Sequence, residues 1–199
     1  MKQYQVPYHE PISFVHAPLA EIDSNPWGAI DPPKTVFQAS FPQKFGFLFQ
    51  ITSFEKNPKR VYRHNGEDVW TDSCAEAFIN FAPDRSKTYL NIEIGAGGGM
   101  LIGVGEGREN RRPVTDFAPY PECNITLRED MWAATALIPL SLIEAVYGKI
   151  DFKPGYRFTG NFNKCLEEGK GKHFLTWNPV DTPEPDFHRP EAFGELILA

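Results

Sequence analysis

The sequence predicts an all-β fold, two packed antiparallel sheets of the immunoglobulin or jelly-roll type with one short helix. Three observations lead there. Apolar residues recur at every second position in several short stretches, as in Phe45, Phe47, Phe49 and Ile51, which is the period of a strand with one buried face. Turn formers separate these stretches at close intervals, the chain holding 18 Pro and 16 Gly. Only one segment has helical spacing, while the 16 Phe suit strands. No internal repeat or shift in composition marks a boundary, so residues 1–199 read as one domain, a usual length for a single all-β unit.

The elements follow in order. The first 35 residues carry Pro7, Pro11, Pro18, Pro26, Pro32 and Pro33 and are expected as extended segments and turns. Strands are expected over 35–39 and 44–53. The polar stretch 55–72, with Asn57-Pro58 and Asn65-Gly66, reads as a loop. Strands over 75–81 and 88–94 suit a hairpin around Pro83-Asp84-Arg85-Ser86-Lys87. In the second of them Leu90, Ile92 and Ile94 point one way and Tyr89, Asn91 and Glu93 the other. The run Gly95-Ala96-Gly97-Gly98-Gly99 lacks the Lys-Ser/Thr ending of a phosphate loop and reads as a tight turn or bulge before a short strand at 100–104. A charged loop spans 105–113. Strands at 124–127 and 131–137 flank the turn Arg128-Glu129-Asp130. Residues 139–148 form the helix, with apolar positions three and four apart and Gly148 as its C-terminal cap. Strands at 156–163, 173–177 and 193–198 close the fold.

Composition narrows the function. A net charge of −6 and a pI near 5.4 disfavour polyanionic partners, both nucleic acid and anionic membrane surfaces. No apolar run approaches a membrane span, and the segment after Met1 has no apolar signal region, so a cytoplasmic location is expected. Cys74, Cys123 and Cys165 form no C-x-x-C pair and are expected as reduced, structural thiols; the Asn124-Ile125-Thr126 sequon would matter only in a secreted protein.

Catalytic signatures are absent: there is no G-x-S-x-G, H-E-x-x-H or G-x-x-x-x-G-K-[ST], and His9, His16, His64, His173 and His188 are scattered. Asp72 and Glu76 lie four apart on an extended chain, roughly 13 Å at about 3.3 Å per residue, too far for either glycosidase geometry. In the bland reading Asp72 organises the loop and Glu76 accepts a hydrogen bond. No residue is therefore assigned as catalytic. Haem held by a Met and a His would have only Met1, Met100 and Met131 to draw on.

Non-catalytic sugar binding needs flat apolar surfaces for pyranose C–H faces, ringed by hydroxyl partners. Trp70 and Trp177 each stand among polar residues near a strand end, whereas Trp132 opens an apolar strand and reads as core; Trp27 is undecided.

Several motifs now carry a resemblance. Trp70-Thr71-Asp72-Ser73-Cys74-Ala75-Glu76-Ala77-Phe78-Ile79 resembles the W-x-D-S-x-x-E-x-F-I segment of family 9 carbohydrate-binding modules, and Tyr89-Leu90-Asn91-Ile92-Glu93 resembles their Y-x-N-x-E strand. Gly160-Asn161-Phe162-Asn163-Lys164-Cys165, His173-Phe174-Leu175-Thr176-Trp177-Asn178-Pro179 and Pro185-Asp186-Phe187-His188-Arg189-Pro190-Glu191-Ala192-Phe193-Gly194 resemble the family's ending in order and spacing. The resemblance spans about residues 35–198. It implies a Trp pair gripping a terminal sugar, with Trp70 and Trp177 in those places and Glu76, Asn163 and Arg112 binding hydroxyls; Asn163 stands where relatives often have Tyr. It also implies structural calcium, for which Asp72, Asp84 or Asp186 would offer oxygen ligands. In Phe187-His188-Arg189-Pro190, a buried Phe with its His bonded to the backbone is expected to fix the last turn. Two alternatives stand beside this reading, a hydrolase or lyase using carboxylates from separate strands, and a sandwich that has lost its sugar.

Overall fold

Alternation builds two sheets, and loops cover part of one of them. The computed structural model describes residues 1–199, with strands β1 (Gln3–Val6), β2 (Tyr8–His9), β3 (Ala20–Glu21), β4 (Thr35–Pro42), β5 (Gly46–Ser53), β6 (Cys74–Asn80) and β7 (Tyr89–Gly95) in its first half. There follow β8 (Met100–Gly105), β9 (Arg112–Pro113), β10 (Cys123–Leu127), β11 (Trp132–Pro139), helix α1 (Leu140–Tyr147), β12 (Arg157–Leu166), β13 (His173–Thr176) and β14 (Gly194–Leu198). The larger sheet runs β1-β14-β12-β6-β7-β8-β9, with β13 also on β12; the smaller runs β10-β11-β5-β4-β2, with β3 also on β4.

Both sheets are mixed, because β1 runs parallel to β14 and β2 parallel to β4. The other pairings are antiparallel, as expected. The Pro-rich first 35 residues are extended, and they also contribute three strands. In β1 only Tyr4 and Val6 turn inward. Two apolar residues make no legible period, and the partner strand lies at the opposite end of the chain.

Between the sheets the inward residues form one core. Phe37, Phe47, Phe49 and Ile51 of the smaller sheet meet Ala77, Ile79, Leu90, Ile92, Phe158 and Phe162 of the larger. Phe37 stacks on Phe162 at 3.8 Å, and Phe47 meets Phe158 edge-on at 5.7 Å. Truncating one such ring costs about 3–5 kcal/mol. Phe45, expected in line with them, is 43% exposed, because it sits in the β4–β5 turn before the strand begins. Trp132 is fully buried, as its apolar neighbours imply, and its indole N–H donates to Glu55.

Turn and cap chemistry hold where the residues specify it. Gly98, at φ +97°, lets the 95–99 segment close tightly, its N–H bonded to the Gly95 carbonyl. Gly148, at φ +72°, ends α1 with its N–H on the Glu144 carbonyl.

Strands β6 and β7 are buried on both faces. Their inner face meets the core, while their outer face is covered by loops that leave a cleft. A second apolar cluster lies on that outer face, including Cys74, Phe78, Tyr89, Cys165, Phe174 and Phe187. All three cysteines are free thiols.

Candidate functional site

The register of β6 with its neighbours decides which side chains share the outer face. Glu76 lies opposite Glu93 of β7 on one side and opposite Asn163 of β12 on the other. Opposed residues of an antiparallel pair project to the same face, so Glu76, Phe78, Asn91 and Glu93 pave a floor, extended by Leu101 of β8. The cleft above it has a volume of about 310 Å³. Trp70, Arg108, Arg111, Glu167, Phe174, Pro185, Phe187 and His188 line the rest of it.

Trp70 is half-buried on a single 3-10 turn, Val69–Thr71, pinned by the fully buried Val69. The two residues after this turn secure the long loop before it. Asp72 Oδ2 accepts the Tyr62 N–H at 2.8 Å, while Ser73 Oγ accepts the Lys59 N–H and donates to Glu55. Asp72 therefore organises the loop, as its bland reading holds.

Glu76 is 2% exposed, and its Oε1 lies 3.1 Å from the Cys165 thiol. Burial, and after it the neighbouring Cys165 thiol and Glu93 carboxylate, pushes its carboxyl well above the usual range. Burial also pushes Glu93 up to about 7, against the pull of the Asn91 amide and the Arg111 guanidinium. Asn91 donates to Glu93 Oε1 at 2.6 Å, yet Glu93 Oε2, Asn91 Oδ1 and Arg111 Nε find no partner in the protein. Buried polar atoms are normally bonded, so these three leave hydrogen-bonding capacity unmet among the residues that line the cleft.

Arg111 lies 4.3 Å over the Tyr89 ring and donates to the carbonyls of Gly107, Tyr89 and Gly103. A Cβ at Gly103 would come within 2.6 Å of Asn91 Oδ1 and 2.9 Å of Arg111 Nε, so a larger residue there would displace both side chains. His188 Nδ1 meets the Tyr89 hydroxyl at 2.8 Å, so this imidazole joins the cleft wall by a side-chain bond and not the expected backbone one. Burial, and then Arg111 and Arg108, lower His188 to about 4, leaving it neutral.

Of the five residues expected at the site, Trp70 and Glu76 line the cleft and three do not. Trp177 is 3% exposed and belongs to the core between the sheets, edge-on to Phe37 at 5.4 Å and to Tyr4 at 6.4 Å. A Cβ on Gly194 would collide with its ring. Thr176, opposite Asn163, takes the outer face, so Leu175 and Trp177 turn inward. The expected pair of Trp surfaces thus falls on opposite faces of the larger sheet. Arg112 is exposed, bonded to Asp116 and laid on Phe117 away from the cleft; Arg111 occupies the place expected for it, because one step along an extended chain reverses the side. Asn163 shares the face of Glu76 but is fully buried beside Thr176 of β13, and it does not line the cleft.

None of the aspartates expected as oxygen ligands for calcium joins a cluster of ligating side chains. Asp72 faces Lys59 at 3.8 Å, Asp186 faces Arg108 and Arg189, and Asp84 stands exposed on a turn. The side chains that do converge as potential metal ligands are Cys74, Glu76 and Cys165, whose two sulfurs suit a softer ion than calcium.

Asn91, Glu93, Arg108, Arg111, Phe174 and Phe187 were not singled out from sequence as site residues. Asn91 and Glu93 had a readable signal in the alternation of their strand, but loop residues such as Arg108 and Phe187 are brought in only by the folded chain.

Comparison with known proteins agrees with this architecture. The model of carbohydrate-binding family 9 matches residues 10–198. A Bacteroides uniformis protein assigned to carbohydrate binding superposes with a TM-score of 0.84 at 22% identity, over 100% of this chain and 99% of that one. A family 9 module from Caldicellulosiruptor kristjanssonii in complex with cellotriose superposes at 0.70 with 12% identity, over 99% and 93%. The module from the same organism in complex with glucose superposes at 0.72 with 12% identity, over 100% and 96%. Curated proteins yield no sequence match. With the family model covering nearly the whole length, the chain belongs to carbohydrate-binding family 9.

Proposed function

We propose that the cleft on the outer face of the larger sheet binds a carbohydrate without cleaving it. The observation that carries this reading is the floor, where two buried carboxyl groups and an amide lie side by side beneath the half-exposed Trp70, with hydrogen-bonding atoms left unpaired. A sugar hydroxyl both donates and accepts. A carboxyl with its pKa near 7 does the same, so Glu93 next to Asn91 matches a hydroxyl pair better than a permanent charge would. Trp70 supplies an aromatic surface for the ring's C–H face, and Arg108 adds donors at the rim.

Catalysis is disfavoured by placement. A glycosidase needs its two carboxyl groups to flank the scissile bond, whereas Glu76 and Glu93 stand beside each other on one floor and approach a ligand from the same side. Glucose and its β-1,4 oligomers are the first ligands to test, since the family 9 module complexes hold glucose and cellotriose. Calorimetry is expected to give saturable binding that Trp70→Ala lowers by tenfold or more, with no release of reducing sugar on long incubation. Absence of binding at millimolar glucose, cellobiose and cellotriose rejects the reading; turnover lost in Glu76→Gln would replace it with hydrolysis.

A further inference from the structure

Phe174 stands at the margin of the cleft. A second hollow, of about 840 Å³, adjoins it between the 26–30 loop, the start of β13 and the 183–185 turn, and Phe174 and Pro185 line both. Its aromatic surface is Trp27. The indole N–H donates to the Thr182 carbonyl at 3.0 Å, while the ring tilts against Phe187 at 5.7 Å and meets Phe174 edge-on at 6.2 Å. The loop that carries it is braced as well, because the Asn25 side chain bonds both the N–H and the carbonyl of Ala29 at 2.9 Å. Trp27 is half-buried and held in place, so stacking a ligand on it costs little ordering entropy. The rim pairs one cation, Lys172, which lies 5.3 Å from the Phe174 ring, with one anion, Glu184, and presents a polar edge without net charge.

We propose that this hollow is a second saccharide subsite, so that the preferred ligand is a neutral oligosaccharide of three or more units lying from Trp70 across Phe174 to Trp27. The inference rests on the reading of the first cleft as a sugar site and extends it. The shared margin argues for the occupant: a saccharide leaving the Glu93 floor across Phe174 and Pro185 would next meet the hollow that Trp27 lines. The chemistry also repeats, a fixed aromatic face with polar atoms at its edge, which suits a pyranose ring.

The test is calorimetry of the intact protein with glucose and with cellotriose. Cellotriose is expected to bind roughly tenfold more tightly than glucose, the additional units burying apolar surface on Trp27 and Phe174. In Trp27→Ala that ratio is expected to fall toward one. Equal affinities for the two sugars in the unaltered protein, or a ratio that Trp27→Ala leaves intact, overturn the second subsite and spare the first. Binding of neither sugar removes the first-cleft reading and the second with it. Should Trp27→Ala fail to fold, the Trp27 indole N–H signal of the unaltered protein decides the same question: cellotriose moves it and glucose does not, and an unmoved signal at saturating cellotriose refutes the subsite.

Discussion

Replacing Glu93 by Gln tests the electrostatics of the cleft floor directly, because the two side chains have nearly the same shape and Gln keeps an oxygen for Asn91 to bond. The folded-state pKa of Glu93 is about 7, against 4.5 for an unburied carboxyl. A carboxyl raised in the folded state stabilises below its unfolded value, and that contribution is lost as pH climbs through the folded one. At 1.36 kcal/mol per unit, the change between pH 5 and pH 8 is on the order of 2 kcal/mol. The unaltered protein should therefore lose on the order of 2 kcal/mol more than Glu93→Gln across that interval. His173 and His188, both lowered to about 4 by burial, act in the opposite direction, stabilising above pH 6.5 and failing as pH falls toward 4. They are shared by both proteins and cancel in the difference, whereas Glu76 loses the upward push of the Glu93 carboxylate in the variant, a change of the same sign. Urea unfolding of the pair at pH 5, 6, 7 and 8 reads it. A stability difference that stays flat over this range would refute the account of Glu93 as a buried, proton-binding group.

Trp177→Leu should cost about 3 kcal/mol in denaturant unfolding and leave the affinity of the folded protein for glucose within twofold, while Trp70→Leu should do the reverse. Arg111→Ala should both weaken sugar binding and lower the melting temperature, since its guanidinium holds three carbonyls beside the cleft; Arg112→Ala should change stability by less than about 0.5 kcal/mol and leave binding alone. The thiols should resist alkylation by iodoacetamide at pH 8 in the native state and react within minutes in urea, because burial raises Cys74 to about 11 and Cys123 to about 12. A thiol alkylated rapidly in the native protein would contradict that burial.

Period-two patterning made the strands legible, and with them the face on which Asn91 and Glu93 lie. It did not make the site legible, for three physical reasons. Trp70 and Trp177 have equally polar neighbours in sequence, and only strand parity relative to Thr176 and Asn163 sends the second ring into the core. Arg111 and Arg112 differ by one position on a loop whose hand-over into β9 sets which of them turns inward. Phe187 and His188 reach the cleft through contacts with Phe78 and Tyr89, about a hundred residues away, and no local pattern encodes contacts of that range. The parallel partnership of the first and last strands is hidden for the same reason.

The four indole N–H groups allow one direct measurement of the central claim, that sugar enters the outer cleft and stays out of the core. In a glucose titration followed by proton–nitrogen correlation spectra, the Trp70 signal should shift with saturation while Trp132 and Trp177, both sealed between the sheets, keep their positions. A saturable shift centred on Trp177 with Trp70 unmoved would contradict the account and place the ligand elsewhere.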